Sequence, residues 1–345
     1  MLFVDHFCEI AKFLEPFAHS LFYRLDQTAL IPGAVYVVGR EQLRLHTDLV
    51  RAWADTNTVV FSNPAEGSET MVGHLKHYGV EDLVINGKLR LICGGALPSQ
   101  YAHMQFEHFL TQPLRFDHNV KARERSDEIF STGSKPYKFL CLNGRNRPHR
   151  HAILTALAER KLLQQALWTN LDSASGSIQL LPVCYELDQY KNSVDGQGYV
   201  KNQLFNNEWG EIYIKPELYI DTYFSVVTET VFDYPYSFFT EKIAKPLAMG
   251  HPFVAVANTG FYRDLKNLGF RTFDSVIDES FDYIDSSTER LNRIVDVIDD
   301  LCEQDLDGFL TVTKDICKYN QQHLAEFATA HMAELPQRFF NFINE

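Results

Sequence analysis

What most constrains this chain is an alternation. Short apolar runs of strand length are followed, again and again, by stretches of helical periodicity. Strands separated by helices pair in parallel, because a parallel neighbour is reached only through a crossover, so the pattern is that of α/β units. In the first half, strand runs fall at 34–38, 58–61 and 88–93. The second leads through Asn63-Pro64-Ala65-Glu66-Gly67-Ser68 into a helical stretch at 69–78, and the third through Gly94-Gly95 into a helix-like segment near 100–110. Residues 111–136 lose the rhythm, turn polar and end in Ser131-Thr132-Gly133-Ser134-Lys135-Pro136, which reads as an interdomain linker. The rhythm restarts at 137–142, followed by a polar loop over 143–147. Pro148 suits the first turn of a helix over 149–161. Residues 171–215 are mixed and loop-rich, with Asp195-Gly196-Gln197-Gly198 as a tip. Strands at 223–228 and 252–257 bracket a helix at 239–249. A short helix at 261–268 and amphipathic helices at 286–302 and 311–334 complete the chain. The expectation is two doubly wound α/β domains, 1–134 and 135–315, with a helical tail over 316–345. Phe339-Phe340-Asn341-Phe342 is too aromatic to stay in water, so the tail should pack back on the body.

Composition narrows the function classes. The 345 residues are 45% hydrophobic and 22% charged, the mix of a soluble globular protein rather than a disordered or fibrous one. Lys and Arg total 32 against 45 Asp and Glu, so the formal net charge is 32 − 45 = −13, which argues against a nucleic-acid coat. The acidity is uneven. Between Glu128 and Glu159 there is no acid, while Lys135, Lys138, Arg145, Arg147 and Arg150 lie there; residues 270–310 hold twelve acids and three bases. The six cysteines show no C-x-x-C spacing, which suits free thiols in a reducing compartment. Asp5 and Glu9 interrupt the start where a signal peptide needs an apolar run, and no apolar stretch reaches membrane-spanning length. The expectation is a cytoplasmic protein without a membrane span.

Ligands of open parallel sheets bind beyond the carboxyl ends of the strands. Asn143-Gly144-Arg145-Asn146-Arg147-Pro148-His149-Arg150 lies there, between a strand and a helix start. Unpaired helix N–H groups together with Arg145, Arg147 and Arg150 form a cradle for a diphosphate. Neither the Walker pattern nor the G-x-G-x-x-G fingerprint occurs, which counts against a P-loop enzyme and a Rossmann oxidoreductase. A second cluster is Val226-Val227-Thr228-Glu229-Thr230, followed by Phe239-Thr240-Glu241-Lys242-Ile243. Thr240 has the character of an N-cap and Glu241 complements the helix dipole, a purely structural role. In the functional alternative, Glu229 and Glu241 accept hydrogen bonds from ribose or sugar hydroxyls and Lys242 neutralises a phosphate.

The stretch from Phe224 through Glu229, Thr240-Glu241-Lys242 and Gly250 to Pro252-Phe253-Val254 resembles the donor-site signature of the α-1,3-fucosyltransferases: a strand ending in Glu, a Thr-Glu-Lys helix start, then a Pro-containing apolar strand. Residues 139–157 resemble that family's entry into its second domain. The resemblance implies a GT-B architecture, two Rossmann-like domains facing a cleft with the nucleotide sugar held mainly by the second. It implies diphosphate contacts from Arg150 and Lys242, ribose contact from Glu241, and the sugar or its surroundings at Glu229, with Asn143 and Thr240 completing the hydroxyl-binding set. Thr230-Val231 stands where the family has Asn-Ser, and Phe232-Asp233-Tyr234-Pro235-Tyr236 is this chain's own, so nucleotide-sugar transfer is implied more than fucose.

A transferase also needs a base for the acceptor hydroxyl. Glu66, in the loop after a strand, is the first candidate; Asp5, His6, His74 and His103 come behind it. The expected activity is metal-independent glycosyl transfer from a nucleoside diphosphate sugar to a hydroxyl acceptor, a glycan before a nucleic acid. No cofactor or metal is expected. The alternatives are a non-catalytic nucleotide- or sugar-binding module and a transferase glycosylating a hydroxylated nucleic-acid base.

Overall fold

The structure, a computed structural model, describes residues 1–131, 133–144, 147–170 and 214–345. The chain is α/β and divides into two compact units. One comprises Met1–Thr111, Tyr236–Phe238 and Ala328–Glu345; the other comprises Gln112–Pro235 and Phe239–Phe327.

The first unit is built on a six-stranded sheet of β1 (Leu2–Asp5), β2 (Ser20–Phe22), β3 (Val35–Val38), β4 (Thr58–Asn63), β5 (Leu89–Cys93) and β6 (His103–Gln105). Their order is β2-β1-β3-β4-β5-β6, and each neighbouring pair is parallel. Strand alternation sorts the side chains into two cores. Phe3, Tyr36, Val38, Val59, Phe61, Leu89 and Leu91 face one cluster with Met71 and Leu75 of the Ser68–His77 helix. Leu2, Val4, Val37, Val60 and Ile92 face the other, together with Leu335, Phe339 and Phe342 of the Leu306–Asn344 helix. Both faces are covered, as a parallel sheet requires.

Two stretches differ from the sequence expectation. The helix-like segment at 100–110 holds β6 and only a short helix, His108–Thr111. A three-residue edge strand carries no visible alternation, and its pairing with β5 decides it. The linker expected over 111–136 is folded: it contains the Asp117–Glu124 helix, and fully buried Asn119 accepts the Ile214 N–H at 2.8 Å. The 311–334 helix extends over Leu306–Asn344.

The second unit carries a four-stranded parallel sheet of β7 (Tyr137–Asn143), β8 (Ala166–Asn170), β9 (Thr222–Thr228) and β10 (Phe253–Val256), ordered β10-β9-β7-β8. Every residue of β9 and β10 is buried. Between those strands runs the Glu241–Met249 helix. Thr240 caps it by accepting the Lys242 N–H, and Gly250 closes it at φ +62°, the left-handed conformation glycine adopts without strain. No helix among the described residues is long and apolar enough to cross a membrane. The described cysteines, Cys8, Cys93, Cys141, Cys302 and Cys317, are free and buried. The expected loop-rich stretch and its tip at 195–198 lie outside the described residues, as does Cys184.

Candidate functional site

The carboxyl ends of β7 and β9 lie side by side and bring together most of the residues marked by the sequence. Asn143 ends β7, and its side-chain Oδ1 accepts the Thr228 hydroxyl of β9 at 2.6 Å. Its backbone is held from the other side: Asn143 N–H donates to Thr169 Oγ1 at 2.9 Å, and that hydroxyl donates back to the Asn143 carbonyl at 3.1 Å. Asn143 is thus spent on fixing the register of three strand ends.

Glu229, one residue past β9, is fully buried. Its carboxylate accepts the Thr240 hydroxyl at 2.5 Å, the Thr240 N–H at 3.2 Å and the Thr230 N–H at 3.1 Å. Burial pushes its carboxyl above the ordinary value, against Lys242 and the Thr240 hydrogen bonds, which draw it down. Its carbonyl oxygen accepts from His149 Nε2 at 2.8 Å and from an Arg150 Nη at 3.2 Å. His149 and Arg150 begin the Pro148–Glu159 helix, so Glu229 ties two helix starts to one strand end. Arg150 is itself buried, which together with Arg147 brings its guanidinium down to about 10. His149 stacks on Phe232, rings 5.2 Å apart, and burial lowers it to about 4, so it is the neutral Nε2–H tautomer that donates.

Lys242 is the half-buried cation of this cluster. Its Nζ pairs with Glu241 and reaches the Thr240 hydroxyl at 3.3 Å and the Thr230 hydroxyl at 3.5 Å. Burial raises the Glu241 carboxyl, but Lys242 and Lys245 outweigh it and leave it below its ordinary value, an anion at neutral pH. A cleft of about 50 Å³ opens beside Lys242, with Thr228, Ser225 and Lys245 in its walls. That volume takes water, not a nucleotide, so a larger ligand would lie over the strand ends. Arg147 stands half-buried immediately before the helix, and Arg145 lies outside the described residues.

Glu66 is elsewhere, in the first unit, half-buried in the loop after β4. Sequence reading missed its neighbour Glu9, whose carboxyl burial, with Asp5 and Glu66 close by, raises to about 7. A carboxylate flanked by Cys8 and Ile10 in an apolar run was the available signal.

A larger cavity of about 180 Å³ lies by the Phe261–Asn267 helix and contains no residue singled out from the sequence. Its carboxylates serve the local backbone: Asp282 accepts the Tyr262 and Arg263 N–H groups, and Glu279 accepts the Thr272 hydroxyl and the Phe273 N–H. Among the described residues no group of three or more His, Cys, Asp and Glu side chains could hold a metal ion. No protein-family model, curated protein or solved structure matches this chain.

Proposed function

We propose that the chain is a glycosyltransferase of GT-B type, moving a sugar from a nucleoside diphosphate sugar to a hydroxyl acceptor. One observation carries the reading. Glu229 joins Arg150 and Lys242, cations from two separate helix starts, at the ends of adjacent parallel strands, through its carbonyl on one side and the Thr240 hydroxyl on the other. When a glycosyl bond to a diphosphate breaks, negative charge develops on the departing phosphate. Prepositioned cations and helix N–H groups stabilise it in the transition state without having to reorganise. In this reading Lys242, Arg150 and Arg147 face the diphosphate, and Glu241, ionised and paired with Lys242, accepts from the ribose hydroxyls. Glu229 and Thr240 keep these groups in place. Asn143 holds the strand ends beneath them.

A base must take the acceptor proton, and Glu66 is assigned that role. Glu66→Gln should lower kcat by about 10²–10⁴ with donor binding intact.

The test is a thermal-shift screen against UDP-, GDP-, ADP- and CMP-sugars, followed by measurement of released nucleoside diphosphate. A ligand that binds only the folded chain raises the midpoint. A hit with release supports transfer, and a hit without release under any acceptor reduces the chain to a binding module. No shift with any of the four classes would falsify the reading.

A further inference from the structure

In the first unit's sheet, the order β2-β1-β3-β4 makes the junction of β1 and β3 the point where successive connections diverge, the position at which open α/β sheets form their ligand crevice. Three features converge on it.

The backbone there is fixed. Asp5, the last residue of β1 and buried, accepts the Phe7 N–H at 3.0 Å and, across the strands, the Gly39 N–H at 3.1 Å. A Cβ at Gly39 would lie 2.8 Å from the Asp5 carboxylate, so any larger residue would have to push that carboxylate aside. Buried Gln42 then donates to the Tyr23 carbonyl at 2.7 Å and accepts the Leu25 N–H at 2.8 Å. The loops after β1, β2 and β3 are held to one another.

On this fixed backbone stand three exposed rings. His6, Phe7 and Tyr23 touch pairwise, with centroids 4.6 to 5.7 Å apart. Phe7 is 72% and Tyr23 58% exposed. Aromatic area kept in water on a preorganised backbone costs free energy that a ligand face recovers.

One strand further on, polar groups lack partners. Asn63 ends β4 and Ser68 begins the ten-residue Ser68–His77 helix; they are 4% and 1% exposed, and Asn63 Nδ2 and Ser68 Oγ have no hydrogen-bond partner. Asn63 shares its strand face with Phe61, which packs with Met71 and Leu75, so its amide faces the start of that helix. Glu9, half-buried in the loop after β1, feels the charges of both Asp5 and Glu66.

We propose that this edge of the sheet is an oligosaccharide site, in which Phe7 and Tyr23 carry the C–H faces of the sugar rings and Asn63, Ser68 and Glu9 bond their hydroxyls. The chemistry separates a sugar from other ligands. An anion would meet Asp5, Glu9 and Glu66, whereas a saccharide offers apolar faces to the rings and hydroxyls that both donate and accept. From β2 to β4 the edge spans three strand spacings, about 14 Å, room for more than one linked ring. Use of the site for an acceptor rests on the transfer reading above; its existence does not.

The test is saturation-transfer NMR with cellobiose, lactose, chitobiose and mannobiose, with AMP and inorganic phosphate as counter-probes. At least one disaccharide should receive saturation on its ring C–H protons. The double variant Phe7→Ala/Tyr23→Ala should bind it at least tenfold more weakly with an unchanged thermal midpoint, since both side chains are exposed. Asn63→Ala should weaken binding too. The site is refuted if no disaccharide binds, if binding ignores the loss of both rings, or if AMP alone binds through them. Disaccharide binding that persists when no nucleotide sugar binds overturns the transfer reading and leaves this site standing.

Discussion

The Thr240 hydroxyl donates to the Glu229 carboxylate at 2.5 Å, both groups being buried, and the same oxygen caps the Glu241–Met249 helix. One hydroxyl thus serves a strand end and a helix start. Thr240→Val should destabilise the chain by about 1–3 kcal/mol, because a buried carboxylate loses its shortest partner, whereas Thr240→Ser should cost far less. Urea midpoints with unchanged m-values would show it; equal losses from Val and Ser would discredit the arrangement.

Lys242 bears on stability and on binding together. It is half-buried, but its partners Glu241 and Thr240 are buried, so loss of the cation leaves the Glu241 carboxylate without its ion-pair partner. Lys242→Ala should lower the melting midpoint and, in the folded variant, weaken nucleotide-sugar binding by tenfold or more in calorimetry. Intact binding would remove Lys242 from the phosphate site.

A third expectation concerns pH. Glu107 is buried against Gln105 and Arg338, and burial raises its carboxyl from 4.5 to about 7. Between those values the unfolded chain has released a proton that the folded chain still holds, so this group's contribution to stability falls as pH rises from 4.5 to 7. Glu9 and Glu279, each raised by burial to about 7, act in the same direction. Glu107→Gln should therefore be more stable than the parent at pH 8, by an amount on the order of 3 kcal/mol, and lose that advantage below pH 4.5. Denaturant titrations at the two pH values decide; a constant difference would refute the linkage.

Glycines give a paired prediction. A Cβ at Gly94 would sit 2.5 Å from the Pro64 carbonyl oxygen and 2.6 Å from the Phe238 ring, while one at Gly73, inside the Ser68–His77 helix, would meet nothing within 4 Å. Gly94→Ala should cost about 1–3 kcal/mol through overpacking. Gly73→Ala should instead stabilise by about 0.5–1 kcal/mol, since glycine is costly inside a helix. Matching signs for the two would contradict this packing.

The sequence made some of this readable and hid the rest for physical reasons. β7, β9 and β10 stand out because buried parallel strands are nearly continuous apolar runs, and Thr240 announces its helix as a cap. β1 escaped because Leu2–Asp5 becomes a strand only through Ser20–Phe22 and Val35–Val38 on either side, partners a local reading cannot see. Glu229 looks like any carboxylate after a strand; that its oxygens are taken up by Thr240 and Thr230 depends on residues up to eleven positions away. The exposed trio of His6, Phe7 and Tyr23 is invisible because the sequence does not show which aromatics reach the core.

The Leu306–Asn344 helix places Leu335, Phe339 and Phe342 in the core that holds Leu2 and Val4. During synthesis, the ribosome must add 335 − 111 = 224 residues after Thr111 before Leu335 exists, tens of seconds at about 5–20 residues per second. The nascent first unit spends that interval with one side of its sheet only partly covered. Its core is therefore completed only after that helix has been made, so a change that delays or destabilises the helix exposes the first unit's sheet.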